Sequence, residues 1–276
     1  MFATDFLFDG KRASDFGLMI CSFSGEIEAA SGGEIEYNVS KTPGRDKFTF
    51  YGAQLNSVIE WNFSICKDPR NNGNPYFSRY EESGIMKWLL KTDGYKPLQF
   101  KQPGYEDIFY NVYFKLTPHQ IGGQTAGFDL TATSDCAYGF TDVITRKAVI
   151  NASTPLELHI HSDINTYILP HVTLNQSGNF FIRNQKYIKP DIPENSPVTI
   201  GMERLQNISE TIFTGISNNT PVIMDSDTDT IYGLTDPQTF NWHFLRLADG
   251  INIITTNSAS DIEIEIRYRE PRFVRI

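Results

Sequence analysis

Cysteine is scarce in this chain, and its placement excludes more than its number does. Cys21, Cys66 and Cys136 are an odd set without a C-x-x-C pair, which supports neither a disulfide framework nor a zinc knuckle. They are expected as reduced thiols in or near a core. Long apolar runs are lacking as well, and nothing approaches the roughly 18 residues of a membrane helix. The opening MFATDFLFDGKRASDF has no basic region followed by an apolar stretch, so no signal peptide is expected. The Asn-x-Ser/Thr sequons at Asn38, Asn62, Asn151, Asn175, Asn207 and Asn218 are therefore read as chance.

Basic excess is missing too. The net charge is −9, with 13 basic and 18 acidic side chains in residues 1–145 and 11 and 15 in residues 146–276. Phosphate contacts need clustered Lys and Arg, so nucleic acid is not an expected partner of either half, and no membrane partner is expected. Catalytic signatures are also absent: no G-x-S-x-G, no S-x-x-K with its companion motifs, no H-E-x-x-H, no P-loop, and no G-x-G-x-x-G after a strand. No catalytic, cofactor-binding or metal residue is assigned, no cofactor is expected, and the chain is not read as an enzyme. A glycan hydrolase stays as the weakest alternative, because paired carboxylates meet in space rather than in sequence.

What is present is aromatic and strand-like. There are 20 Phe and 13 Tyr, residues that suit a half-buried pleated surface. FLFDG ends on a turn at Asp9-Gly10, EIEYNVS alternates Ile35, Tyr37 and Val39, KFTFYG alternates Phe48 and Phe50, and SVIEWNFSI carries Trp61, Phe63 and Ile65. One segment breaks the period. Asn74 as cap, Pro75 at the first helical position, Glu81 and Glu82 early, and Gly94 after Lys87 and Lys91 predict a single long helix. Strands follow over 96–101, 108–116 and 127–133, with Gly122-Gly123 as turn material. A domain boundary is expected near residues 141–151, giving domains 1–145 and 146–276.

The second half reads as many short strands, the pattern of a sandwich or barrel. STPLELHIHS sets Leu156, Leu158 and Ile160 against Glu157, His159 and His161; YILPHVTL, NFFIRN, PVTIGM, TPVIM and TIYGL follow; DIEIEIRYRE alternates Ile262, Ile264, Ile266 and Tyr268 with charges. FNWHFLRLADGINIITT reads as a hairpin of two strands joined by Asp249-Gly250.

Three groups of side chains invite chemistry. Asp225, Asp227 and Asp229 resemble a calcium loop superficially, but Thr230 and Asp236 occupy the positions where an EF-hand needs Gly and a bidentate acid, so a solvated hairpin turn is the simpler reading. His159, His161 and His171 lack a visible fourth zinc ligand. His243 reads as an outward strand residue. Arg246 beside exposed aromatics would make a sugar platform, but Trp242 is expected inside the hairpin's core.

The ends of the chain resemble one family. FLFDGKRASDFGLMICSFSG has the form of its opening strand, turn and second strand. FNWHFLRLADGINIITT, with its Leu-x-x-Gly-x-Asn, followed by DIEIEIRYREPRFV, with its Tyr-Arg-x-Pro-Arg, is similar to its closing segment. PVIMDSDTDTIYG resembles its polar-turned hairpin. The family is the distal tail protein of long-tailed, non-contractile phages and prophages, and the likeness runs from Phe6 to Val274. It implies a mainly β protein: an N-terminal β-sandwich-like belt domain with one α-helix and a β-hairpin, and a C-terminal galectin-like β-sandwich facing outward. It also implies a structural role at the virion tail tip, assembled in the bacterial host cytoplasm. There a ring, usually of six copies, would be the hub joining the tail-tube protein to a tail-associated lysin and a receptor-binding protein. The strand around Phe6–Phe8 and the segment 108–116 are candidate ring contacts. The alternative is a carbohydrate-binding β-sandwich that adheres to host cell-wall glycan.

Overall fold

Period-2 patterning dominates both halves of the chain, and the architecture is mainly β with one α-helix among the described residues. The structure, a computed structural model, describes residues 3–23, 35–41, 43–44, 46–55, 58–70, 73–90, 93–103, 107–188, 204–217 and 221–273. It divides into two compact units, Met1–Phe140 with Arg272–Ile276, and Thr141–Pro271. The strand expected at PVTIGM, 197–202, lies outside the described residues.

The first unit runs β1 (Phe6–Phe8), β2 (Lys11–Arg12), β3 (Leu18–Cys21), β4 (Ile35–Ser40), β5 (Thr49–Leu55), β6 (Glu60–Lys67), α1 (Arg79–Leu90), β7 (Lys96–Phe100), β8 (Tyr110–Ile121), β9 (Gln124–Ser134) and β10 (Gly139–Phe140). Seven strands form one antiparallel sheet in the order β2-β1-β7-β8-β9-β6-β3, while β4 and β5 pair with each other as a separate ribbon. Turn chemistry sets the reversals. Asp9 and Gly10 join β1 to β2 with φ of 49° and 74°, and Gly122 and Gly123 join β8 to β9 with 62° and 80°. Both pairs have the left-handed backbone of a two-residue hairpin.

The aromatic content explains how this sheet closes. β1 and β6 are four strand steps apart, which is about 19 Å across a flat sheet, yet the rings of Phe6 and Phe63 meet edge-on at 5.5 Å. The sheet is therefore rolled onto itself, sandwich-like, around one core holding Phe8, Trp61, Phe100, Phe114 and Phe128. The helix closes this core with Trp88, which stacks on Phe6 at 5.7 Å and on Phe16 at 4.5 Å. Its indole Nε1 donates to the Phe8 carbonyl at 3.1 Å, so the large ring enters the core with its one polar atom satisfied.

Two expectations are corrected here. Asn74 does not cap the helix: its Oδ1 accepts from the Tyr76 N–H at 3.0 Å in a turn ahead of it, and Pro75 is not helical. The cap is Ser78, whose Oγ accepts from the Glu81 N–H while the Glu81 carboxylate accepts from the Ser78 N–H at 2.7 Å, a reciprocal box that satisfies two otherwise orphan donors. Nor do Phe6–Phe8 and 108–116 offer ring contacts through their edges. β1 lies between β2 and β7, and β8 has β9 on one side and, over Tyr110–Val112, β7 on the other, so β1 and that part of β8 have both edges engaged, and Phe6, Phe8, Tyr110 and Val112 are buried.

The second unit runs β11 (Ile144–Ile150), β12 (Leu156–Ile160), β13 (His171–Asn175), β14 (Gly178–Ile188), β15 (Arg204–Ile216), β16 (Val222–Asp225), β17 (Thr230–Tyr232), β18 (Gly250–Thr256) and β19 (Ile262–Tyr268). Two antiparallel sheets, β11-β19-β13-β16-β17 and β12-β18-β14-β15, share one core. In β19 the alternation holds residue by residue: Ile262, Ile264, Ile266 and Tyr268 are buried against those sheets while Glu263 and Arg267 are exposed. The expected hairpin over 240–256 is not formed. β18 begins at Gly250 and pairs with β12 and β14, and the residues before it are an irregular segment with single bridges from Phe240 to Phe213 of β15 and from Leu247 to Ile168.

The helix cap yields a pH prediction. Hydrogen bonds from Lys67 and then from the Ser78 backbone and hydroxyl hold the Glu81 carboxyl down to about 2. A carboxyl depressed on folding stabilises the native state above its unfolded value, about 4.3, and that stabilisation is lost as pH falls towards 2. Glu81→Gln is expected to cost about 0.5 kcal/mol at neutral pH, a modest amount because the side chain is 42% exposed and screened by solvent. The gap from wild type should close between pH 4.5 and 2 in urea titrations, the limits being the ordinary carboxyl value and the depressed one.

Candidate functional site

Strand β15 is at the edge of its sheet, and an edge must be covered or it invites pairing with another chain. The segment from Phe240 to Arg246 covers it. The Asn241 carboxamide stands in for a neighbouring strand: its Oδ1 accepts from the Ile212 N–H at 3.1 Å, and its Nδ2 donates to the Glu210 carbonyl at 3.1 Å. Further along, the Thr211 hydroxyl donates to the His243 carbonyl at 2.7 Å, and the Arg246 N–H donates to Ser209 Oγ at 2.9 Å.

A second pair of carboxamides holds the rest of the segment. Asn184 and Asn252 are fully buried on β14 and β18. Asn252 Oδ1 accepts from the Ala248 N–H at 2.8 Å, and its Nδ2 donates to the carbonyls of Ala248 and Gly250. Asn184 Nδ2 donates to Asn252 Oδ1 and to the Arg246 carbonyl, both at 2.7 Å. Leu247 is buried, Gly250 takes φ of 92°, and Asn252 clasps the backbone between them, so the Leu-x-x-Gly-x-Asn string describes one structural device.

This bracing turns Trp242 outward. It has φ of 57° and is 55% exposed, which corrects its expected burial. A left-handed backbone costs a bulky residue roughly 1–2 kcal/mol, and an indole left in water forgoes its burial as well. Its ring meets that of Phe240 in a T-shaped contact at 5.7 Å. Trp242 lines an open cleft of about 510 Å³ together with Glu210, Asp229, His243 and Arg246. Glu210 is ion-paired to Arg183, the Arg246 guanidinium lies 5.9 Å from the Tyr167 ring centre, and Asp229 also has a left-handed φ of 51°.

The other singled-out side chains do not converge. Asp225 and Asp227 are in the β16–β17 hairpin, where the Asp225 carboxylate accepts from the Asp227 N–H at 3.0 Å. His159 pairs with Glu157 at 2.8 Å on β12, His171 is on β13 in the opposite sheet, and His161 follows β12. Among the described residues no three His, Cys, Asp or Glu side chains gather to hold a metal ion. The three cysteines are free thiols; burial pushes Cys136 up to about 12, and a hydrogen bond from Cys21 lowers Cys66.

A second surface is the ribbon β4–β5. Tyr37, Val39, Phe48, Phe50 and Tyr51 are all exposed, Tyr51 by 67%. Tyr37 and Val39 share one face of β4, Phe50 is paired with Val39 on that face, and Tyr51 sits at the bulge where the register shifts, so the ribbon carries an exposed apolar face. Tyr37 and Phe50 lie 6.1 Å apart across it, and Lys41 Nζ is 5.8 Å from the Phe48 ring centre. The expected strands are present here, but their apolar side chains are not in a core.

Comparison with known proteins places this architecture. Residues 1–136 match the family model described as the phage tail protein N-terminal domain, and residues 138–268 match the phage tail C-terminal domain. The chain belongs to the phage tail proteins. Its fold is similar to that of the Dit protein (gp 19.1) of phage SPP1, described as a paradigm of hub adsorption apparatus in phages infecting Gram-positive hosts, with a TM-score of 0.60 at 11% identity over 97% of this chain and 98% of that one. It is also similar to a chain of the phage p2 baseplate in its activated conformation, with a TM-score of 0.50 at 10% identity over 95% and 97%. No protein of curated function matches it. This tail protein thus has a fold similar to that of a distal tail protein, the fold its terminal motifs led us to expect.

The carboxamide clasp carries a stability prediction. Asn252→Leu in the tail protein leaves the buried Ala248 N–H and two carbonyls without their partner. Each such group costs roughly 1–3 kcal/mol, so a loss of about 3 kcal/mol in chemical denaturation is expected, with the Trp242 segment becoming more open to proteolysis.

Proposed function

We propose that this tail protein is a structural hub of the tail tip, with the first unit closing into a ring of identical copies and the second serving contacts to tip components. The observation that carries the ring is the β4–β5 ribbon. A two-stranded ribbon alone is marginal in water, and one with an exposed apolar face of Tyr37, Val39 and Phe50 needs something to pack on. In a ring the contact between copies is heterologous, so a projecting element on one copy meets a different surface on the next. Three aromatic rings buried there would contribute about 2–3 kcal/mol each, against an association cost of about 4–15 kcal/mol.

The fold-level likeness to the SPP1 Dit protein and the p2 baseplate supports the same reading. So does the family match, since both halves of the chain are described as phage tail domains. On this reading the partners are the tail-tube protein on one side and, on the other, a tail-associated lysin and a receptor-binding protein. The ring is expected to hold six copies at the distal end of the virion tail, with assembly in the host cytoplasm. The second unit corresponds to a galectin-like domain, and the role is structural rather than enzymatic.

Light scattering on the purified chain, alone and with its tail-tube partner, is expected to show a closed oligomer that negative-stain images resolve as rings. The double variant Tyr37→Asp and Phe50→Asp should shift it to monomer with an unchanged circular dichroism spectrum. A wild-type chain that stays monomeric with the tube protein, or a variant that assembles like wild type, refutes the ring.

A further inference from the structure

We infer that the Trp242 cleft of the second unit is a saccharide-binding site for a neutral pyranose, a function separate from ring assembly. Three non-glycine residues among those described have positive φ, namely Asp9, Asp229 and Trp242. Two of the three line this one cleft. Backbone strain that collects in one place and turns an indole outward marks a site where the fold is held for a purpose other than its own packing.

The lining selects the ligand class. The exposed Trp242 indole, set edge-to-face against Phe240, offers a flat apolar surface, and the C–H face of a pyranose ring is its natural counterpart. Asp229 makes no hydrogen bond or ion pair within the described structure, and Arg246 is held over Tyr167 rather than by an acid. One carboxylate and one guanidinium are thus uncommitted, and together they suit the acceptor and donor needs of vicinal hydroxyls. Glu210 is already neutralised by Arg183, so the cleft has no surplus charge to favour an ionic ligand. An extended peptide is disfavoured, since it would need the ladder groups at the outer edge of β15, and Asn241 already engages the Ile212 N–H and the Glu210 carbonyl there.

The distribution of tryptophan makes the test direct. Trp61 and Trp88 are buried and Trp242 is 55% exposed, so acrylamide quenching of the intact chain reports mainly on the cleft. Neutral trisaccharides of glucose, galactose and N-acetylglucosamine are the probes, with an oligoglucuronate as the charged comparison. At least one neutral probe is expected to shield the fluorescence. Calorimetry should then show its affinity falling about ten-fold or more in Trp242→Ala, a loss typical of a central aromatic contact, with part of it recovered in Trp242→Phe. Asp229→Asn, which leaves the indole in place, should weaken binding without changing the emission of the free protein.

The inference is overturned if no neutral probe shields Trp242, if binding is unchanged in Trp242→Ala, or if the oligoglucuronate alone binds. It is also overturned if sugars leave the wild type untouched while Trp242→Ala abolishes capture of a purified receptor-binding protein, which would make the cleft a protein contact. None of these outcomes bears on whether the chain forms rings, and a chain that fails to form rings leaves the sugar titration unaffected.

Discussion

A segment that leaves the β-ladder inside a sandwich must have its N–H and C=O groups satisfied by something else, and in the second unit three asparagines meet that constraint. Asn241 covers the edge of β15, while Asn184 and Asn252 hold the chain from Arg246 to Gly250 from within the core. Buried amide groups without partners would each cost as much as a lost hydrogen bond. The carboxamides are suited to the task because each offers both an acceptor and two donors. With the segment fixed in this way, the two sheets keep a common core, and Trp242 is turned out into the cleft.

The first unit solves a different problem with aromatic rings. Its seven-stranded sheet rolls until β1 and β6 share a core, and Trp88 from the helix fills the remaining space with its N–H on the Phe8 carbonyl. Apolar side chains are thus used up in the rolled sheet, and those of β4–β5 are left outside it. The two units therefore present two kinds of surface: a ribbon with an exposed apolar face, and an exposed indole beside uncommitted polar groups. Nothing in the chemistry of one depends on the other.

Much of this was legible from the residues. The Asp9-Gly10 and Gly122-Gly123 reversals, the alternation of β19 and the single helix follow from local rules, because turn conformation and strand period depend on neighbours in sequence. The helix start was misread because Asn74-Pro75 and Ser78-x-x-Glu81 are both plausible caps, and Lys67, which reinforces Glu81, comes from a strand distant in sequence. The 240–256 hairpin failed for a similar reason. Asp-Gly is a turn signal only if both flanking runs can pair, and here Asn252 and Asn184 direct the backbone elsewhere.

By itself the sequence determined the mainly β class, the order of strands and helix, and the family, since the terminal strings carry that family's turn and clasp residues. Which strands end up as edges, whether an alternating apolar face is buried, and where Trp242 points were decided by tertiary structure. The physical reason is that Tyr37, Phe50 and Trp242 obey the same period-2 rule as Phe63 or Ile264. Period says which residues share a face, and only the packing of distant strands says whether anything covers it.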